Sequence, residues 1–229
     1  MLKQTTISLI ITTALSFSAN VYSTEATANT KASALNTVSA ENDNTVKQLL
    51  KAMLAKVHQF SASFVQQVLD EEGNLLQEAT GKLKVSKPNL VYWFTEEPNE
   101  SLIVSDGETL WFYDPFIEQA SAYGINQSIA NTPILLLSNS NEELWQHYQV
   151  IKKSDTHYLI HSKDENSKVK SLALYFSETI ANQLVGFDII DSTGQISKIS
   201  LNNIDSKTPL NDNTFIFTLP DGADLDDQR

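Results

Sequence analysis

Cysteine is absent from this chain of 229 residues. That excludes disulfides, thiol catalysis and thiolate metal sites, and it leaves no cysteine to carry a lipid. Glycine is scarce, seven residues thinly spread, so no glycine-rich loop is available to cradle phosphate. No G-x-S-x-G nucleophile elbow occurs, and none of the four histidines stands where a catalytic triad would place it. Beyond the N-terminal segment, no stretch reaches the roughly 20 apolar residues that a membrane-spanning helix needs. Basic residues are outnumbered by acidic ones, 16 to 28. A net charge of −12 repels the phosphates of nucleic acid and of anionic membranes, although solubility alone is enough to account for it.

The N-terminus reads as an export leader. Lys3 supplies a positive start, residues 7–17 (ISLIITTALSF) form a short apolar run, and Val21-Tyr22-Ser23 offers small residues around a cleavage point after Ser23. Residues 1–23 are therefore expected to be a signal peptide and the mature protein to be exported and soluble. An exported domain without disulfides must rely on its core, and the remaining length is ample for one. Residues 24–41, rich in Ala, Thr, Ser and Asn, read as a disordered N-terminal arm. Residues 42–229 read as one domain.

That domain opens with a helix. Val46, Leu49, Leu50, Met53, Leu54 and Val57 recur at helical spacing, with Lys47, Gln48, Lys51 and Lys56 on the other face. The period then changes to two. Phe60, Ala62, Phe64 and Val68 alternate with polar neighbours, Asp70-Glu71-Glu72-Gly73-Asn74 makes a turn, and Leu75, Ala79, Gly81, Leu83 and Val85 form an antiparallel partner. Further strands are predicted at residues 90–94, 101–105, 109–113, 117–122, 148–152, 158–162, 172–176, 184–190, 196–201 and 214–217. Turn signals such as Lys87-Pro88-Asn89, Asp106-Gly107 and Asp114-Pro115 separate them. About a dozen antiparallel strands in one run point to a barrel, a half-barrel or a large curved sheet. Pro133-Ile134-Leu135-Leu136-Leu137 interrupts the strands as a short apolar helix with proline in its first turn.

Candidate chemistry is thin. His157 and His161 have the spacing of a helical metal pair, but they fall in a predicted strand, where four residues span about 13 Å and one ion cannot bridge them. Asp221, Asp224, Asp226 and Asp227 lack the closing glutamate of a calcium loop and read as a solvated tail. Glu96-Glu97 and Asp70-Glu71-Glu72 lie in turns, where solvation is the default, though any two acids could meet in the fold. No cofactor, no metal and no enzyme activity is expected. What is abundant is apolar surface between Trp93 and Phe116. Leu110-Trp111-Phe112-Tyr113 is apolar on both strand faces and is expected to be buried on both sides. An ordinary core and an acyl-binding cavity both fit this pattern.

Several stretches carry a family likeness. They are Ser63-Phe64-Val65-Gln66-Gln67 with its acidic turn, Lys87-Pro88-Asn89-Leu90 closing on Trp93, the run from Ser105 to Phe116 (SDGETLWFYDPF), Asn131-Thr132-Pro133, and the ending Phe215-Ile216-Phe217, Pro220-Asp221-Gly222 and Asp226-Asp227-Gln228-Arg229. In this order, over roughly residues 43–229, the chain resembles the LolA family of periplasmic carriers of outer-membrane lipoproteins. The resemblance implies a mainly β fold (α+β): an unclosed, strongly curved antiparallel barrel with an apolar concave face, and helices forming a lid. It implies a carrier that takes acylated lipoproteins from an inner-membrane ABC transporter and passes them to an outer-membrane receptor, acting as a monomer in the periplasm.

The acyl-chain site is expected at Leu50, Met53 and Leu54 from the first helix, at Ile134, Leu135 and Leu137 from the lid, and at Phe64, Leu83, Leu90, Trp93 and Phe112 from the sheet. The family's lid is held by an arginine before the Pro-Asn-Leu segment, and Lys87 stands at that position here. Lysine lacks the planar five-donor fork, so a more weakly held lid is expected, latched by Lys87 around Leu137 and Ser138. Two rival readings stay open. One is a periplasmic lipid or glycolipid carrier or sensor on the same scaffold. The other is a periplasmic hydrolase using two turn carboxylates.

Overall fold

The structure, a computed structural model, describes residues 32–125, 135–138 and 142–229. The chain divides into two units, residues 1–41 and 42–229. The leader read at residues 1–23, the start of the arm, and Ile134 lie outside the described residues. Helix α1 runs over Ala32–Ala55. Residues 32–41, expected to be structureless, are therefore helical. Once residues 44–55 are held against a sheet, each added turn escapes the cost of nucleation, and Ala32, Ala34 and Leu35 favour its extension.

After α1 come β1 (Gln59–Leu69), β2 (Leu75–Ser86), β3 (Leu90–Thr95), β4 (Ser101–Asp106), β5 (Thr109–Asp114) and β6 (Gln119–Gly124). Among the described residues two single-turn helices follow, α2 (Leu135–Ser138) and α3 (Glu142–Trp145). The chain continues with β7 (Tyr148–Lys152), β8 (His157–Ser162), β9 (Val169–Phe176), β10 (Leu184–Asp191), β11 (Ile196–Asp205) and β12 (Asp224–Asp227). All twelve strands join one sheet in the order β12-β6-β5-β4-β3-β2-β1-β11-β10-β9-β8-β7. The fold is mainly β, and the sheet is open and curved. β12 and β7 end the order without pairing to each other. Each strand from β2 to β6 pairs with its predecessor, and β7 to β11 form a second meander. The long pairing of β1 with β11 welds the two halves.

Alternation decides which face is which. Phe60, Ala62 and Phe64 of β1 are buried while their neighbours are not. Register carries that face onward to Leu83 and Val85, then to Val91 and Trp93. From there it runs to Ile103 and Phe112. On the other half it passes through Leu201 and Ile199 to Phe187, Leu174 and Tyr158. This is the concave side, and it holds one contiguous apolar core to which α1, α2 and Trp145 contribute. Gly81 matters here. A Cβ at this position would lie 2.1 Å from the Phe94 carbonyl oxygen and 2.5 Å from Phe64 Cζ, so the absence of a side chain lets the Phe64 ring cross β2.

Four strand expectations change. β6 begins at Gln119, not Ile117. The Phe116 amide bonds the Asp114 carboxylate, which draws Phe116 and Ile117 into the turn. Residues 214–217 form no strand. A single 3-10 turn, Asp212–Phe215, capped by the Asn211 side chain, takes their place. The acidic end is not a loose tail, because Asp224–Asp227 pair with β6. That pairing is parallel, so the sheet is not antiparallel throughout.

The expected two-sided burial of residues 110–113 is partly met. Leu110 is fully buried on the concave side, whereas Trp111 and Tyr113 are half-buried on the convex side, where Phe217 covers them with ring centroids 5.0 and 6.0 Å away. Arg229, the only arginine in the chain, lies 5.3 Å from the Trp111 ring and forks onto Asp227. The C-terminal segment thus serves as a second layer over β5. No helix among the described residues is long and apolar enough to cross a membrane.

Candidate functional site

The concave face is the site to be explained. Among the described residues, the last turns of α1, the four residues of α2, Ile125 and Trp145 pack on it. Leu50 and Leu54 of α1 are buried and Met53 packs against them. All four residues of α2, Leu135, Leu136, Leu137 and Ser138, are buried. With three consecutive leucines in its single turn, α2 lies against β2 and β3.

Of the sheet residues singled out from sequence, Phe64, Leu83 and Trp93 are buried on the concave side, and Phe112 is partly buried on the same side. Phe64, Trp93 and Phe187 form an aromatic floor, with centroid distances of 4.8 and 5.9 Å along the row. Leu90 is misplaced. Val91, Trp93 and Thr95 face inward, so Leu90, an odd number of positions from each, faces the convex side. Alternation alone forbids choosing Leu90 and Trp93 together. Sequence reasoning also missed the far half of the floor, Phe187, Leu174, Ile160 and Tyr158, whose alternation in β8 to β10 was legible but unused.

Among the described residues the floor is tightly packed. A void lined by Leu136, Tyr148, Ile160 and Leu172 leaves about 10 Å³ of free volume, whereas a site that engulfs a small organic ligand needs about 300 Å³ or more. Phe64 and Trp93 are buried, so a ligand lying on them must displace what covers them.

The fastening differs from the expected one. Lys87 Nζ donates to the Leu54 carbonyl at 2.5 Å, on the last turn of α1, and not to Leu137 or Ser138. The final carbonyls of a helix lack partners along the helix and carry the negative end of its dipole, so a single ammonium is drawn there. The Lys87 amide also donates to the His58 carbonyl at 2.9 Å. Ser138 is tethered by its neighbour instead: the Asn89 amide donates to the Ser138 carbonyl at 3.2 Å. The β2–β3 turn thus holds α1 with a side chain and α2 with a backbone amide. Burial pushes the Lys87 ammonium below its ordinary pKa.

The remaining polar candidates lie elsewhere. His157 and His161 are both on β8, facing the convex side. His157 packs on Tyr175 at 4.6 Å, and His161 Nδ1 shares a 3.0 Å hydrogen bond with Ser171. Tyr175 donates to Asp188 at 2.8 Å, and burial together with that carboxylate raises its pKa to about 12. Among the described residues no group of His, Asp and Glu is arranged to hold a metal ion.

The family described as "Outer membrane lipoprotein carrier protein LolA" matches residues 55–218. A protein of Aeromonas salmonicida named outer-membrane lipoprotein carrier protein is 39% identical over 180 residues, covering 79% of this chain and 88% of that one. Its namesake in Idiomarina loihiensis is 36% identical over 191 residues, covering 83% and 92%. Among solved structures, a LolA superfamily protein of Nitrosomonas europaea aligns over 76% of this chain and 97% of its own, at 11% identity and a TM-score of 0.47. The chain belongs to the LolA family of outer-membrane lipoprotein carrier proteins.

Proposed function

We propose that this chain is a periplasmic carrier that shields the acyl chains of lipoproteins bound for the outer membrane. In this reading the leader at residues 1–23 is removed on export. Cargo is accepted from an inner-membrane ABC transporter and surrendered to an outer-membrane receptor. The observation that supports it is a concave apolar floor on which, among the described residues, the end of α1 and the buried turn of α2 pack.

The magnitudes suit the task. Each buried methylene is worth about 0.8 kcal/mol, so one sixteen-carbon chain in water costs about 12 kcal/mol. Exposing Leu135, Leu136 and Leu137 would cost about 5–9 kcal/mol. An empty carrier therefore stays shut, hiding an apolar patch that would otherwise invite aggregation. A single acyl chain more than offsets the opening, so cargo itself drives it. The acyl-contacting set is Leu50, Met53, Leu54, Phe64, Leu83, Trp93, Phe112, Leu135 and Leu137, with Lys87 restraining α1. The protein works as a monomer, since one mouth suffices for one cargo.

The test is binding of a synthetic peptide with three palmitoyl chains on its N-terminal cysteine, followed by Trp93 fluorescence in the purified chain. A saturable blue shift at one peptide per chain is expected. Binding of free phospholipid but not of lipopeptide would favour a lipid carrier or sensor. Binding of neither, with hydrolytic activity lost on changing Glu96 or Glu97, would favour a hydrolase.

A further inference from the structure

The concave face is not apolar throughout. Strand register sorts it into rows. One row, Trp93–Ile103–Phe112, is apolar from β3 to β5 and ends on β6 at Ser121. The next row toward the β3–β4 and β5–β6 turns reads Thr95, Ser101, Asp114 and Gln119. Every member of it is polar. On the other half of the sheet the corresponding positions stay apolar, with Phe64 paired to Leu201. The polar patch is thus confined to β3–β6 and spans three strand spacings, about 14 Å.

Its state differs from that of the floor. Ser101, Asp114, Gln119 and Ser121 are partly exposed and stand outside the apolar core that α1 and α2 join. Thr95 marks the boundary. It is buried, and its hydroxyl accepts from the Trp93 indole at 3.3 Å. The helix tethers from Lys87 and Asn89 belong to the β2–β3 turn, at the opposite end of these strands.

We propose that this shelf, Thr95, Ser101 and Gln119 with Ser121 at the end of the neighbouring row, is the subsite for the non-acyl part of the cargo, the ester and amide linkages around the lipidated cysteine and the first peptide units. This rests on the carrier reading above and adds a direction to it. A triacylated cysteine is amphipathic over a few ångströms, because its chains are apolar and its carbonyls and amide N–H need partners. A floor that is apolar in one row and polar in the next matches that boundary, since carbonyls left against Phe112 or Trp93 would go unpaired. The chains run from the shelf toward α2, and the folded cargo emerges past the β5–β6 turn. Asp114 at the shelf edge favours a neutral or basic leading peptide over an acidic one.

The test uses the whole chain and a triacylated cysteinyl peptide carrying a nitroxide at its C-terminus. Amide signals of Ser101, Gln119 and Ser121 are expected to broaden, while those in the turns at residues 106–109 and 153–156 stay sharp. Ser121→Leu is expected to weaken the lipopeptide about tenfold, the worth of one hydrogen-bonded group, and to leave palmitate affinity unchanged. Broadening centred on residues 106–109, or equal loss of both ligands, would overturn the shelf and leave the carrier reading standing. Failure of the wild-type chain to bind either ligand would overturn both.

Discussion

Replacing Lys87 by leucine removes a hydrogen bond that ties the end of α1 to the β2–β3 turn. A bond with a charged donor nets about 1.5–3 kcal/mol in favourable cases. Two features lower that figure here. Burial already disfavours the charged amine, as its depressed pKa shows, and the Leu54 carbonyl keeps a second donor, the Val57 amide at 2.9 Å, so it is not orphaned. The net loss is about 1 kcal/mol, or roughly a fivefold rise in the local opening constant. Hydrogen exchange reads this directly. Amides of Lys56 and Val57 should exchange about fivefold faster in Lys87→Leu, with β10 unchanged. Lys87→Arg should slow them, because its fork can hold two carbonyls at once. Unchanged protection in both variants would refute the tether. Acceleration at α2 alone would show that the tether holds the wrong helix.

Other consequences are equally specific. Gly81→Ala should destabilise by about 1–3 kcal/mol in urea unfolding through overpacking. Phe64→Leu should rescue it only in part, because the Phe94 carbonyl at 2.1 Å cannot retreat. Phe215, 2% exposed under the convex side, should cost about 3–5 kcal/mol when cut to alanine, measured by thermal unfolding. Tyr175 has its pKa raised from 10.0 to about 12, so its contribution to stability is whole below pH 10 and is lost as the pH climbs toward 12. The difference in stability between wild type and Tyr175→Phe should shrink across that window. Arg229 holds the Asp227 carboxyl at about 2. Arg229→Ala should return it toward 3.8 in an NMR titration, and the stability that this pair lends above 3.8 should no longer fade as the pH falls toward 2.

The sheet was largely legible in the sequence because its physics is local. Alternation in β1 to β5 and the turn residues between strands mark both element and face. What escaped was set by contacts distant in the chain. The parallel docking of Asp224–Asp227 on β6 depends on Phe217 and Arg229 meeting Trp111, and an acidic tail gives no hint of it. Thr214–Phe217 has strand-like composition, yet Phe215 serves as a single buried peg. The helical reach back to Ala32 reflects propagation from an anchored helix together with the helix-favouring alanines. Lys87 is the instructive case. The resemblance marked the residue, but only the fold shows that its partner is α1 and that Asn89 holds α2. Parity along β3 puts Leu90 on the face opposite Trp93.

The central claim is that the packed floor opens to acyl chains. Native mass spectrometry of the protein recovered from a periplasmic extract tests it most directly. One chain carrying one triacylated lipoprotein is the predicted species. A protein that emerges empty, or with free lipid alone, while triacylated lipoproteins remain in the inner membrane, would contradict the account.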